Sequence, residues 1–224
     1  MRRWGAGTAA VVRLLIASDD PLTGVTIATM VGVTQPRASQ ILRQLADHDA
    51  ITATPDGYVG ERTKLLYLYA ARARPHLVEP ESYWYSTRPL ADQARRVLAL
   101  ASDHDVTVAF SADLAPDLIA PWRHPTVTIA YLDARLPIED AGLVPAEGRA
   151  DASLITRWTD DQGLLSPAAP WRGEAEGLPV ADPCQQWWDL LETAMADPTG
   201  ECPSCGRPRP NPITSTSATG QPST

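Results

Sequence analysis

The sequence is poor in cysteine, lysine and phenylalanine, and it lacks any long apolar run. It contains three cysteines and one phenylalanine among 224 residues, and Lys64 is its only lysine. So few cysteines exclude a scaffold held together by several disulfides. No apolar stretch approaches the roughly 18 residues that cross a bilayer, so we expect no membrane partner. Arg13 interrupts the apolar N-terminal segment and no clear cleavage site follows, which favours a cytoplasmic protein over a secreted one.

The net charge of −8 is distributed unevenly along the chain. Residues 1–96 contain 12 basic and 9 acidic side chains, whereas residues 97–224 contain 7 basic and 18 acidic ones. This asymmetry predicts two modules with different partners, the first mildly basic and the second strongly acidic. The overall negative charge therefore does not exclude a nucleic-acid partner for the first module.

Apolar periodicity predicts three helices, two short strands and a fourth helix in the first module. The expected helices are 8–18, 26–31, 35–47 and 61–74, and the expected strands are 51–54 and 58–59. Gly32 should turn the chain in a left-handed conformation, and Thr34 should cap the third helix. The buried face of that helix should comprise Ala38, Ile41, Leu42 and Leu45. This order of elements is typical of a winged helix-turn-helix.

The other face of the third helix is polar, and no acidic residue lies between Thr34 and Ala46. Glutamine and arginine side chains pair with adenine and guanine in the major groove, so this face favours double-stranded DNA as the partner. The predicted contacts from the helix and its cap are Thr34, Gln35, Arg37, Ser39, Gln40, Arg43 and Gln44. The predicted backbone or minor-groove contacts are Tyr58, Arg62 and Lys64, with Arg2 and Arg3. Use of the same module in protein–protein contacts is the alternative.

The second module is predicted to mix helices and strands. We expect an irregular stretch at 76–89, helices at 90–101 and from Asp182, a short helix after Asp113, and strands at 106–110, 126–132 and 153–158. Residues 137–181 should be loop-rich, with 153–158 as their one strand. The core face of the last helix should comprise Cys184, Trp187, Trp188, Leu191 and Met195.

The predicted architecture is therefore α+β with three parts. Residues 1–75 form a winged helix-turn-helix domain, and residues 76–198 form a small, acidic, mixed α/β domain. Residues 199–224 form a disordered tail, because 17 of those 26 residues are Pro, Gly, Ser or Thr and they cannot bury enough apolar surface to fold.

Signals for metal binding and catalysis are weak. Cys202 and Cys205 form half of a zinc knuckle in the tail, but a structural zinc site needs four ligands. No further ligand pair accompanies them, so we expect no cofactor, and zinc at these two cysteines is kept as an alternative. Ser111 lacks the glycines of a nucleophile elbow, and no phosphate-binding loop is present. We therefore do not expect an enzyme.

Three stretches of the second module carry a family resemblance. They are VAFSADLA at 108–115 with the following Pro121, TVTIAYL at 126–132, and PCQQWWDLL at 183–191. Together with the predicted winged helix, they resemble the AbiEi-type antitoxins and transcriptional regulators of type IV toxin–antitoxin systems. The last stretch resembles the Gln-x-x-x-Asp-Leu-Leu helix of that family. The resemblance covers about residues 5–198.

The resemblance implies a transcriptional repressor of its own operon that binds repeats in the promoter. It also implies antitoxin activity against a nucleotidyltransferase-like toxin, without a stable complex. Because one winged helix reads only a few base pairs, we expect two chains on repeated half-sites. A ligand-responsive repressor with an effector pocket around Tyr83, Trp84 and Tyr85 is one alternative. An enzyme or a zinc-dependent interaction protein is the other.

Overall fold

The chain folds as a mixed α+β protein in the computed structural model, which describes residues 3–73, 75–119 and 124–196. A helical unit is formed by residues 3–73, and a sheet unit is formed by the described residues from 75 onward. The predicted disordered tail, Arg2 and Pro121 lie outside the described residues. Among the described helices, none combines the length and the apolar character needed to cross a membrane.

The helical unit contains four helices and one β-hairpin. Its elements are α1 (Ala6–Ala17), α2 (Gly24–Val31), α3 (Gln35–Ala46), β1 (Ile51–Thr54), β2 (Gly57–Gly60) and α4 (Arg62–Arg72). Every predicted element of this unit is therefore confirmed, with ends that differ by at most two residues. The prediction worked because the periodicity of each helix is local and the hairpin turns at Pro55-Asp56, directly before Gly57.

Local chemistry fixes the ends of these helices. The Thr23 hydroxyl accepts a hydrogen bond from the Thr26 amide at 3.1 Å and caps α2. Gly32 ends α2 in the left-handed conformation, with a φ of 72°, as predicted. Thr34 does occupy the capping position of α3, but its side chain makes no capping hydrogen bond, so that part of the prediction is wrong. Pro36 lies in the first turn of α3, where its missing N–H has no intrahelical acceptor.

The hairpin is tied to the chain that precedes α2. The backbone groups of Leu22 and Tyr58 exchange two hydrogen bonds, of 2.9 and 3.0 Å. This approach requires glycine at position 57, because a Cβ atom there would lie 2.5 Å from the carbonyl carbon of Leu22. Gly57 also has a φ of +142°, which side-chain-bearing residues rarely adopt. Backbone pairing therefore fixes the position of the hairpin against the helices.

The core of the helical unit is apolar and continuous. As predicted, α3 buries Ala38, Ile41, Leu42 and Leu45. They pack with buried side chains of α1, α2 and α4, among them Val12, Ile27 and Leu65. The same core cluster also contains Trp171 and Cys184 of the sheet unit, and the partly buried Ala169 and Trp188 of that unit pack against it. The change of architecture near residue 75 is therefore not a break in packing.

The sheet unit is built on a seven-stranded mixed sheet. Its strands are β3 (Ser82–Tyr85), β4 (Val108–Ala112), β5 (Thr128–Leu132), β6 (Val144–Pro145), β7 (Leu154–Trp158), β8 (Gly173–Ala175) and β9 (Leu178–Val180). Their order in the sheet is β6-β3-β7-β5-β4-β9-β8. The helices are α5 (Leu90–Asp103), α6 (Leu114–Ile119), α7 (Gln162–Leu165) and α8 (Pro183–Ala196).

Helices cover both faces of this sheet. Phe110, Ala130 and Leu154 point to one face and pack with Ala94 and Val97 of α5. The alternate residues of the same strands point to the other face, where α8 packs against β4. The central strands β4 and β5 are buried along their whole length, which explains why neither contains a charged residue.

Two predictions for the sheet unit are wrong. The stretch 76–89 was expected to be irregular, but it contains β3, which pairs with β6 and β7. The stretch 137–181 contains β6, β8, β9, α7 and two short 3-10 turns in addition to the predicted strand. These strands are only two to four residues long, so their own sequence carries little signal and their pairing partners determine them.

Candidate nucleic-acid interface

The outward side of α3 forms a polar ridge. Its centre consists of Pro36, Gln40, Arg43 and Asp47, which follow one another at steps of three or four residues along the helix. Arg37 and Gln44 flank this centre, and together the six residues line a shallow, open concavity. All seven residues predicted for DNA contact at α3 and its cap are exposed in the described chain. The structure thus brings the main predicted contacts together on one surface.

Arg37 is held by two neighbouring side chains. Its Nη1 donates to Oε1 of Gln40 at 2.7 Å, and its Nη2 donates to the Thr8 hydroxyl of α1 at 3.3 Å. Thr8 itself is buried, so it is a fixed anchor. The guanidinium of Arg37 therefore bridges α3 and α1.

Arg43 is held differently. Its Nε donates to the carbonyl oxygen of Ser39, one turn earlier in the same helix, at 3.3 Å. Its two terminal nitrogens have no hydrogen-bond partner among the described residues. The side chain lies at the centre of the ridge, so these two donors are presented to solvent.

One acidic residue belongs to this ridge. Asp47 follows the last residue of α3 and lines the same concavity as Arg43. Asp47 lies inside the predicted helix 35–47, but it directly follows the acid-free stretch from Thr34 to Ala46 and was not among the predicted contacts. Its spacing of four residues from Arg43 was the available signal. A carboxylate here repels DNA phosphates and restricts the surface that can face the duplex to the N-terminal and central parts of α3.

The contacts predicted beyond α3 have internal roles in the structure. Arg62 donates to the carbonyl oxygens of Ile16 and Ser18, at 3.2 and 3.4 Å, and pairs with Asp19. It thus caps the C-terminal end of α1. Lys64 donates to the carbonyl oxygen of Asp49 at 3.1 Å.

The hairpin offers little to DNA. Tyr58 is half-buried and packs against the core of the helical unit. The segment from Ile51 to Gly60 contains no basic residue and carries Asp56 at its turn. Arg3 is exposed near the N-terminus. The groups that are both exposed and free to read a duplex are therefore concentrated on α3.

The aromatic segment proposed as an effector pocket is part of the sheet. Tyr83, Trp84 and Tyr85 form most of β3. The Trp84 indole donates to the Thr156 hydroxyl at 3.0 Å, and the Tyr83 hydroxyl donates to Glu81 at 2.8 Å. An open cleft of about 920 Å³ lies elsewhere, between the start of α1, the α2–α3 turn and residues 160–171.

A buried polar cluster in the sheet unit was not predicted from the sequence. The Asp189 carboxylate of α8 accepts hydrogen bonds from Ser111 at 2.5 Å, from Tyr131 at 2.8 Å and from Arg157 at 2.8 Å. Gln185 donates to the Tyr131 hydroxyl at 2.8 Å. Arg157 and Asp189 are 1% and 0% exposed, so both charges are completely removed from water.

Further groups extend the cluster toward the surface and toward the helical unit. Arg157 also pairs with Glu81 and Glu192 at its outer end. On the side of the cluster that faces the helical unit, Gln185 accepts a long hydrogen bond of 3.4 Å from Tyr69 of α4. Tyr69 in turn accepts from Arg13 of α1 at 2.7 Å. One chain of polar contacts therefore connects α1 to Arg157 of β7 and to Glu81, directly before β3.

Burial dominates the protonation of this cluster. Desolvation raises the pKa of Asp189 to about 6, although Arg157 and the hydrogen bonds from Ser111, Tyr131 and Gln185 favour the charged form. Desolvation also raises the pKa of Tyr131, with the Asp189 charge acting in the same direction. A substrate cannot contact the buried groups of this cluster, because they are fully enclosed. Their hydrogen bonds to Asp189 hold α8 to β4, β5 and β7.

The predicted core face of α8 is only partly correct. Cys184 is buried as expected, but Trp187, Trp188 and Leu191 are half-buried. The fully buried positions on the next turns are the polar Gln185 and Asp189. These are the two polar residues of the Gln-x-x-x-Asp-Leu-Leu pattern, and their spacing of four residues was the signal that could have revealed them.

The residues that were considered as metal ligands are mostly outside the described part of the chain. Cys202 and Cys205 lie outside the described residues. Cys184 is a buried free thiol, and desolvation raises its pKa well above the usual value. Within the described part of the chain, no group of three or more His, Cys, Asp or Glu side chains is arranged to hold a metal ion.

Neither the protein-family models nor the curated proteins nor the solved structures gave a match to the chain.

Proposed function

We propose that the chain is a sequence-specific DNA-binding transcriptional regulator, with a winged helix-turn-helix in residues 1–75 and α3 as its recognition helix. The observation that carries the proposal is the outward ridge of α3. Its N-terminal and central residues are exposed, uncharged or basic, and rich in side chains that hydrogen-bond base edges. The opposite side of α3 is buried, so the ridge is held on a rigid support.

The surroundings of α3 support this use. An α-helix fits the major groove of B-form DNA, which is about 12 Å wide. The sheet unit packs through α8 on α1 and α4, whereas α3 packs mainly on α1, α2 and β1. The acidic sheet unit therefore leaves the ridge uncovered. With only a small excess of basic residues in the first module, base contacts must supply much of the discrimination.

The proposal is tested by removing the centre of the ridge. We expect the double variant Gln40→Ala/Arg43→Ala to lose specific binding to a duplex that the full chain selects from a random library. Both positions are exposed on a helix, and alanine favours helix, so the fold should persist. Binding is measured by fluorescence anisotropy and folding by circular dichroism.

A matched control changes the same residue types elsewhere. The double variant Arg88→Ala/Gln162→Ala removes one exposed arginine and one exposed glutamine from the sheet unit. It alters the net charge equally but leaves α3 intact, so its specific affinity should equal that of the parent chain. Unchanged specific binding in the Gln40/Arg43 variant would show that α3 does not read the duplex.

Repression of its own operon and antitoxin activity form the second part of the proposal, and both rest on the family resemblance. The chain should protect cells that express a nucleotidyltransferase-like toxin encoded beside it, and it should occupy repeats in its own promoter as two copies. Growth after toxin induction, with and without the chain, tests the first point. Footprinting with mass measurement of the complex tests the second. Absence of protection would leave a regulator without antitoxin activity.

The open cleft favours one further candidate function, regulation by a small molecule. It borders Met30, Gly32 and Val33 at the turn that leads into α3, and it borders Trp171 and Asp161 of the sheet unit. A molecule bound there would touch both units. Screening small aromatic compounds for an effect on DNA affinity tests this candidate. The control is Met30→Trp, whose larger side chain should fill the cleft and abolish any such effect.

A further inference from the structure

We propose that Arg43 selects a guanine in the bound duplex, whereas Arg37 serves to brace α3 against α1. This inference rests on the proposed function and specifies which DNA the chain would recognise. The two arginines lie on the same helix, and both are exposed. They differ in which nitrogens of the guanidinium group are already engaged, and that difference decides what each can offer to a base.

Both terminal nitrogens of Arg37 are directed to acceptors within the protein. Its Nη1 is bound to the Gln40 amide oxygen, and its Nη2 is bound to the Thr8 hydroxyl. A guanine is recognised by two parallel N–H groups that meet its N7 and O6 atoms together. Because both terminal nitrogens of Arg37 are directed to protein acceptors, this side chain acts as a brace between α3 and α1.

Arg43 does have such a pair. Only its Nε is engaged, because it donates to the Ser39 carbonyl oxygen of its own helix. This bond fixes the orientation of the guanidinium group. Among the described residues, neither terminal nitrogen has a hydrogen-bond partner. A fork that is held at its base and open at its end is the arrangement that matches guanine in the major groove.

Gln40 is restricted by the same contacts. Pairing of glutamine with adenine uses both the amide oxygen and the amide nitrogen. The oxygen of Gln40 already accepts one hydrogen bond from Arg37, whereas its amide nitrogen is the group that is not engaged and can donate to a base. Gln40 and Arg43 are three residues apart, about 4.5 Å along the helix axis. The inferred target therefore has a guanine opposite Arg43 and, at the neighbouring base pair, a major-groove acceptor opposite Gln40.

The test uses the full chain and a duplex chosen from a random library. We expect every selected duplex to share one guanine. Replacing that guanine by 7-deazaguanine removes the N7 acceptor and keeps the base pair, so affinity should fall about tenfold, within the range found for a good bidentate contact. In Arg43→Ala, guanine and 7-deazaguanine duplexes should bind equally. The control Arg37→Ala should retain the tenfold difference.

The outcomes separate this inference from the proposed function. Specific binding without a shared guanine, or a 7-deazaguanine effect that persists in Arg43→Ala, overturns the inference alone. Loss of the effect in Arg37→Ala but not in Arg43→Ala also overturns it. If the chain selects no duplex over random sequence, the proposed function fails and this inference fails with it.

Discussion

At the scale of single residues, the charge of greatest consequence for the fold is Arg157. It is fully buried and faces three carboxylates, those of Glu81, Asp189 and Glu192. Removing one partner of a buried ion pair is costly because the remaining charge stays away from water without compensation. The buried members of the polar cluster cannot contact a ligand. Their measurable effect is therefore on the stability of the fold.

We predict that Arg157→Met lowers the free energy of unfolding by about 3–5 kcal/mol, because it leaves the Asp189 charge uncompensated. Urea denaturation measures the effect. The matched control is Arg149→Met, which removes an arginine that contacts Glu81 and Glu192 but is 24% exposed. That variant should lose about 1 kcal/mol or less. Equal losses in the two variants would contradict the role assigned to burial.

Asp189 gives the stability of the protein a defined pH dependence. Its pKa is about 6 in the folded chain and near 4 in the unfolded chain. Between these values the folded state holds the proton more tightly, so the contribution of Asp189 to stability is complete below about pH 4 and is lost as pH rises to about 6. Asp189→Asn cannot titrate.

We therefore expect the stability of the parent chain, relative to Asp189→Asn, to fall by up to about 3 kcal/mol as pH rises from 4 to 7. Urea denaturation of both proteins at each pH provides the comparison. The variant remains foldable because Arg157 keeps Glu81 and Glu192 as partners. A difference that is constant or that grows with pH would show that Asp189 stays ionised throughout.

At the scale of elements, the hairpin is the part most sensitive to one small change. In Gly57→Ala the new Cβ would meet the Leu22 backbone at a φ of +142°. We predict a loss of about 2 kcal/mol or more in the free energy of unfolding, from strain together with the displaced Leu22–Tyr58 bridge. Gly148→Ala is the control, since nothing lies within 4 Å of the added atom there. Thermal unfolding monitored by circular dichroism compares the two, and similar melting temperatures would contradict the prediction.

The elements also show what sequence reasoning reaches. The buried face of α3 and the turn at Gly32 depend on local periodicity and backbone preference, so they could be predicted. The strand β3 and the polar core of α8 depend on partners far away in the chain. Asp189, for example, meets Ser111 and Tyr131 across 78 and 58 residues. Likewise, the binding of Arg37 to Thr8 decides which arginine is free, and no pattern within α3 reveals that contact.

At the scale of the whole molecule, the core of the helical unit extends into the sheet unit, and a buried cation joins the two units. Arg13 of α1 pairs with Asp161 at 3.2 Å and with Asp182 at 3.1 Å, and it is 2% exposed. Burial alone would lower the pKa of Arg13, but Asp182, Tyr69 and Asp161 outweigh it and raise that pKa. The guanidinium therefore remains charged and ties the helical unit to the sheet unit.

We predict that both units unfold in one transition. Calorimetric and van't Hoff enthalpies should agree, because separation would expose the Cys184 and Trp188 packing and strand the Arg13 charge. Differential scanning calorimetry of the full chain makes the comparison. Two resolved transitions would show that the units are independent.

The buried junction also bears on how the two units can be exchanged between proteins. A recombination event at residue 75 would cut the chain between its two architectures but through the middle of one core. Any new partner would have to supply an apolar surface for α1 and α4 and two carboxylates for Arg13. The helical unit is therefore not an interchangeable module, and substitutions in its buried junction must be matched by substitutions in the sheet unit.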